Sequence, residues 1–128
     1  MKTNVLCVCR MGLNRSKYLA KYLRGRGYAT RYGGLGYGRI DKIAHNPLNQ
    51  KDVDWSDIII VARKQLKEYL KKDFKILKKK IITLDVTDSR RLVGEKFPEL
   101  GKLGFEEFQK KWTYPKLRKA IKPYLPFK

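Results

Sequence analysis

The residues best suited to chemistry in this 128-residue chain are Cys9-Arg10-Met11-Gly12-Leu13-Asn14-Arg15-Ser16. A cysteine, five residues, an arginine and a serine follow the apolar run Val5-Leu6-Cys7-Val8. The run reads as a strand and a helical pattern begins near Ser16, so the residues between predict a tight strand–loop–helix turn. Such a turn aims backbone N–H groups into one concavity at a helix N-terminus, where the helix dipole favours an anion. A cysteine in that setting, beside an arginine, is favoured as the nucleophilic thiolate. Cys9 would then attack phosphorus and form a phosphocysteine. Arg15 would hold two phosphate oxygens with its planar fork, which lysine cannot copy. Ser16 would donate its hydroxyl to the sulfur and ease its departure. Gly12 would let the backbone turn where a Cβ would crowd the loop or the phosphate. Arg10, Met11, Leu13 and Asn14 complete the phosphate-binding loop, and the Asn14 amide can tie it to a neighbouring segment. The plainer alternative makes Cys9 a core cysteine and Arg15 a surface charge; the strand–loop–helix setting favours the phosphate loop.

Phosphoryl transfer also needs an acid for the leaving oxygen and a base for the incoming water. The lone histidine, His45, lies in the loop-like stretch Ala44-His45-Asn46-Pro47. Farther on, Ile81-Ile82-Thr83-Leu84 reads as a buried strand followed by Asp85-Val86-Thr87-Asp88-Ser89. Parallel strands bring their following loops to one shared edge, which places this segment beside the Cys9 loop. Asp88 is the expected acid/base and Asp85 the alternative, set against the structural reading of both as turn formers and helix caps.

The elements that must position these groups alternate. Strands are expected at 4–9, 28–33, 57–62 and 80–84, and helices at 16–26 and 63–72. Two terminal helices follow, with Phe105, Phe108 and Trp112, then Leu117, Ile121 and Tyr124–Leu125, facing inward. Pro115 suits the start of the last helix and Pro123 its end. Residues 33–49 read as loop, and the glycine-dense Gly33–Gly38 stretch as a turn that can border the site. This order predicts a single-domain α/β chain: a three-layer α/β/α stack with a central parallel four-stranded sheet and the phosphate loop after strand 1.

Val5 to Ser16, the helix after it and the Arg31-Tyr32-Gly33-Gly34-Leu35-Gly36 turn resemble the low-molecular-weight protein tyrosine phosphatase family. Asn14-Arg15-Ser16, Arg26-Gly27-Tyr28 and the late Asp85-Val86-Thr87-Asp88 are most similar to its RNA polymerase II C-terminal-domain phosphatase branch. The resemblance implies Cys9 as nucleophile, Arg15 as phosphate clamp, Ser16 as sulfur partner and Asp88 as acid. Gly12 stands one position later than the glycine of the typical loop. Asn14 replaces its second cysteine, and Lys17 stands where proline usually follows the serine. Ser89-Arg90-Arg91 follows Asp88 in place of the proline and aromatics that flank a phosphotyrosine ring. The implied chemistry is therefore the thiolate mechanism, with the phospho-residue left open.

Composition bounds the rest. Lys and Arg number 31 against 12 Asp and Glu, a net charge of +19 that attracts polyanions. Basic residues are densest over 63–80 and recur over 110–128, interleaved with Tyr69, Phe74, Trp112, Tyr114, Tyr124 and Phe127. That mixture suits phosphate backbones and stacked bases, or an acidic protein partner, and equally a solvated face over an aromatic core. The expected partner is a phosphorylated substrate, phosphoprotein or polyanion, with nucleic acid as a second possibility and no membrane. Two cysteines spaced Cys7-x-Cys9 and one histidine frame neither a disulfide scaffold nor a structural zinc site, so no metal or cofactor is expected. No apolar run approaches membrane-spanning length and no leader precedes the first strand, which together predict a cytoplasmic protein. The predicted function is a metal-independent cysteine phosphatase, with a non-hydrolytic anion-binding protein as the alternative. Arsenate reduction is disfavoured because only Cys7 is available to resolve Cys9, and phosphocysteine carriage because Arg15 and the aspartates suit hydrolysis.

Overall fold

A computed structural model describes residues 2–36 and 46–127. Four parallel strands form one sheet in the order β2-β1-β3-β4: β1 Asn4–Cys9, β2 Ala29–Gly34, β3 Ile58–Val61 and β4 Lys80–Thr83. The central strands are apolar on both faces because helices cover both, as parallel sheets require. Val5 and Cys7 of β1 face one side with Ile58, Ile60 and Ile82, and pack under Leu19 and Leu23 of helix α1 (Arg15–Arg24) and Leu117 and Ile121 of the last helix. Leu6, Val8, Ile59 and Val61 face the other side. They pack under Val53 of α2 (Gln50–Trp55) and Leu66 and Leu70 of α3 (Leu66–Asp73).

After β4 the chain turns through α4 (Arg90–Lys96), the short α5 (Pro98–Gly101) and a long helical run. That run is α6 (Phe105–Phe108), a π turn at Gln109–Thr113, and α7 (Tyr114–Ile121), with Pro115 in the first turn of α7. The terminal helices are thus joined without a loop. The sheet, the crossovers and the alternation follow the expected architecture. Two expected inward residues do not: Phe105 is 58% exposed and Tyr124 is also exposed. Both sit at ends of helical segments, where one side of the backbone no longer faces the sheet. Trp55 closes α2, and the Arg31 guanidinium lies over its ring at 4.4 Å. His45 and the Tyr37–Gly38 part of the glycine turn lie outside the described residues. Among the described residues, no helix is long and apolar enough to cross a membrane.

Candidate active site

The Cys9 loop leaves the carboxyl edge of β1 and is fixed from one side. Cys9, Arg10 and Met11 carbonyls accept hydrogen bonds from the amides of Leu35, Gly36 and Asn46, at 3.1, 2.6 and 3.0 Å. The Gly12 carbonyl accepts from Asn46 Nδ2 at 3.1 Å. With four successive carbonyls turned toward β2 and Asn46, the concave side is left to amides, and the Gly12 N–H donates to Cys9 Sγ at 3.3 Å. Gly12 has φ +79°, and a Cβ there would fall 2.5 Å from the Asn46 carbonyl and 2.6 Å from the Gly34 nitrogen. A Cβ on Gly34 would lie 2.4 Å from the Met11 carbonyl carbon. The two glycines therefore let loop and strand approach backbone to backbone; Gly12 meets protein backbone, so its role lies in seating the loop.

α1 begins immediately after the loop. Asn14 occupies its N-cap position but makes no side-chain cap, and no acidic residue stands in the first turn. The positive end of the helix is thus left uncompensated toward the loop. Ser16 is buried, with its Oγ in a 3.1 Å hydrogen bond with Cys9 Sγ. Cys9 itself is 2% exposed, at the closed base of the loop. Cys7, two residues earlier, is enclosed in the core, and burial, with Cys9 next in importance, pushes its thiol far above the ordinary cysteine range.

Arg15 is 6% exposed. Its Nη1 donates to the Val86 carbonyl at 2.8 Å, and its Nε lies 3.4 Å from Asp88 Oδ2, an ion pair without hydrogen-bond geometry. The Nε–H is buried and has no hydrogen-bond partner among the described residues. Asp88 also accepts from Asn14 Nδ2 at 2.9 Å. Asp85 is brought elsewhere: it is exposed and pairs with Arg63 Nε at 3.0 Å. Of the two aspartates, Asp88 is the one delivered to the loop, because Val86 continues the ladder by donating to the Ala62 carbonyl at 2.9 Å and the chain then turns inward.

Asn14 is the hub of a network that reaches across the molecule. Its Nδ2 also donates to Gln109 Oε1 at 2.9 Å, and its Oδ1 accepts from the Tyr114 hydroxyl at 2.9 Å. The Tyr114 hydroxyl is held protonated to higher pH than usual, first by partial burial and then by Tyr18, Asp88 and Glu106. Gln109, 1% exposed, and Tyr114 bracket the π turn. A π turn widens the helix locally and is frequent at functional sites. Trp112, in the same turn, donates from Nε1 to the Thr87 carbonyl at 3.1 Å and so braces the Asp88 segment. None of Gln109, Trp112 and Tyr114 carries a linear signal for this role; Gln109 in particular reads as an ordinary polar helix residue.

Arg10, Arg15 and Arg63, with Asp88, Ser89 and Leu92, line a cleft of about 300 Å³ beside the loop. Three guanidinium groups with one carboxylate suit an anion better than a cation. Among the described residues, no cluster of three or more His, Cys, Asp or Glu could hold a metal ion.

The low molecular weight protein tyrosine phosphatase from Campylobacter jejuni, solved in solution, shares this fold with a TM-score of 0.53 and 17% sequence identity, over 100% of this chain and 99% of that one. No protein-family model matches the chain, and no curated protein matches it by sequence.

Proposed function

We propose that this chain is a cysteine-dependent phosphomonoester hydrolase acting on phosphoproteins. The observation that carries the reading is the orphaned, buried Arg15 Nε–H beside Asp88, at the mouth of a loop whose Gly12 amide and Ser16 hydroxyl converge on Cys9 Sγ. A buried guanidinium donor without an acceptor is costly, and a phosphate oxygen would supply the acceptor. The fold shared with a phosphatase supports the same chemistry at a coarser level.

In the first step the Cys9 thiolate attacks phosphorus while the bond from phosphorus to the leaving oxygen breaks. Asp88, in its acid form, gives that oxygen a proton. Arg15 exchanges its contact with Asp88 for two phosphate oxygens, and the loop amides hold the rest of the developing charge. In the second step water attacks the phosphocysteine and loses a proton to the Asp88 carboxylate. The sulfur–phosphorus bond breaks, with Ser16 stabilising the released thiolate. The Asp85–Arg63 pair leaves Asp85 at the rim, so the acid role falls to Asp88. The late aspartate pair resembles that of the polymerase-tail phosphatase branch, and the described lining of the cleft beside Asp88 holds no aromatic ring, which favours a phosphoserine or phosphothreonine segment.

The test is turnover of para-nitrophenyl phosphate, with chelator present, by the wild type and by Cys9→Ser. Loss of turnover with an unchanged thermal transition is expected. Turnover that persists in the pure variant would overturn the mechanism.

A further inference from the structure

A groove of about 1000 Å³ runs along the outer side of α1, starting at Leu13 and Asn14 of the loop and ending near Gly25 and Arg26. Its walls are mainly apolar: Leu13, 50% exposed, and Phe105 stand at its rim, and the rings of Tyr18, Tyr22 and Tyr114 form its wall. Among the described residues, every charged residue lining it is basic: Lys17, Lys21, Arg26 and Lys110. This is a separate space from the arginine cleft at Asp88, and the two share the loop as a common border.

The tyrosines restrict what can lie there. Tyr18 and Tyr114 stack on each other at 4.1 Å with planes 5° apart, Tyr22 follows at 6.3 Å, and the Arg26 guanidinium covers Tyr22. Stacking of nucleobases needs free aromatic faces. Here the faces are largely taken by one another, which leaves ring edges and aliphatic stems toward the groove. Exposed Leu13 and Phe105 supply apolar contacts, and the lysines supply charge without planar stacking. Lysine-rimmed apolar walls complement a chain with carboxylate and apolar side chains.

We infer that this groove docks an acidic and apolar peptide segment flanking the phosphorylated residue, so that substrate choice is made along α1 rather than in the arginine cleft. The inference rests on the phosphatase reading for its substrate and adds the stretch of protein that carries the phosphate. Charge complementarity identifies the occupant: among the described residues, four cations and no carboxylate line the groove.

The experiment compares three substrates: para-nitrophenyl phosphate, a phosphopeptide flanked by Asp, Glu, Leu and Phe, and the same phosphopeptide flanked by Lys and Gly. The wild type is expected to prefer the acidic, apolar peptide. Lys21→Glu with Lys110→Glu should lower kcat/KM for that peptide roughly tenfold, through KM, with para-nitrophenyl phosphate turnover unchanged. Phe105→Ser should weaken it by a smaller factor. Equal use of both peptides by the wild type, or a preference untouched by the double variant, overturns the proposal. If the wild type hydrolyses none of the three, the phosphatase reading fails on its own. Docking is then judged by fluorescence anisotropy of the unphosphorylated acidic, apolar peptide: binding lost in the double variant upholds the groove, and no binding overturns it. Single-stranded DNA whose binding is weakened by the double variant while peptide binding is not would make the occupant nucleic acid and overturn the assignment.

Discussion

Cys7 and Cys9 stand two residues apart on one strand, both buried, yet only one of them is surrounded by polar groups. Cys7 lies mid-strand among Val5, Leu19 and Ile60, and burial drives its thiol toward the neutral form. Cys9 ends the strand, where a backbone amide and a serine hydroxyl reach its sulfur and a helix N-terminus begins. Burial alone therefore does not set the two thiols apart. Position relative to the strand end does, because only there do loop amides, helix dipole and the loops of other strands meet.

The sharpest way to break this comparison is to change each thiol in turn. Cys9→Ser should reduce phosphate-ester turnover at least about a thousandfold, since a serine hydroxyl is a far weaker nucleophile at neutral pH. Cys7→Ala should leave turnover near wild type. Steady-state assays on both variants decide it, and equal losses would mean that the two sites differ in packing only.

Next in size is the contrast between the two aspartates that follow β4. Asp88 reaches Asn14 and Arg15, whereas Asp85 pairs with Arg63 at the rim. Asp88→Asn should lower kcat by roughly two to three orders of magnitude, within the usual range for a positioned acid. Asp85→Asn should change it by about threefold or less, in keeping with a surface ion pair. The reverse order would move the acid to Asp85.

A smaller effect is expected at Asn14, which holds Asp88 from the loop side and is itself held by Gln109 and Tyr114. Asn14→Ala should cost about tenfold in kcat, and its effect should largely vanish in an Asp88→Asn background, since the two act through one contact. A fully additive double-mutant cycle would show that Asn14 acts elsewhere. The variant should also lose roughly 1–3 kcal/mol of stability, because Gln109 and Tyr114 lose their partner.

How far these groups could be read in advance depended on whether their chemistry was local. β1, its loop and α1 are contiguous, so motif, apolar run and helical period coincide within a few residues. β3 and β4 are legible as short apolar runs, and the parallel order then carries Asp88 to the loop. α2 and α4 were not, because each buries a single residue, Val53 and Val93, and so shows no apolar period. Phe105 and Tyr124 fit the helical period of the inward face but stand at helix ends, which have an open side. The Gln109 and Tyr114 contacts to Asn14 span 95 and 100 residues and depend on the π turn, which no residue spacing announces. The Cys9 loop was therefore local and legible, while the contacts that hold Asp88 from the loop side are tertiary.

The mid-strand thiol gives the smallest effect, and it is one of stability against pH. A thiol in the unfolded chain ionises near pH 8.5. In the folded chain Cys7 resists ionisation because desolvation penalises the thiolate, so its folded pKa is raised. The unfolded state then loses its proton first as pH rises, and binds fewer protons than the folded state above about pH 8.5. The stabilisation is fully present below that pH and declines above it. Cys7→Ala removes this dependence, at a cost of roughly 1–2 kcal/mol at neutral pH for the lost sulfur contacts. Denaturant unfolding at pH 7 and at pH 9.5 should show a gap between wild type and Cys7→Ala that narrows at the higher pH. A gap that stays constant would mean that the Cys7 thiol ionises as readily in the core as in water, and the distinction between the middle and the end of β1 would fail on its structural side.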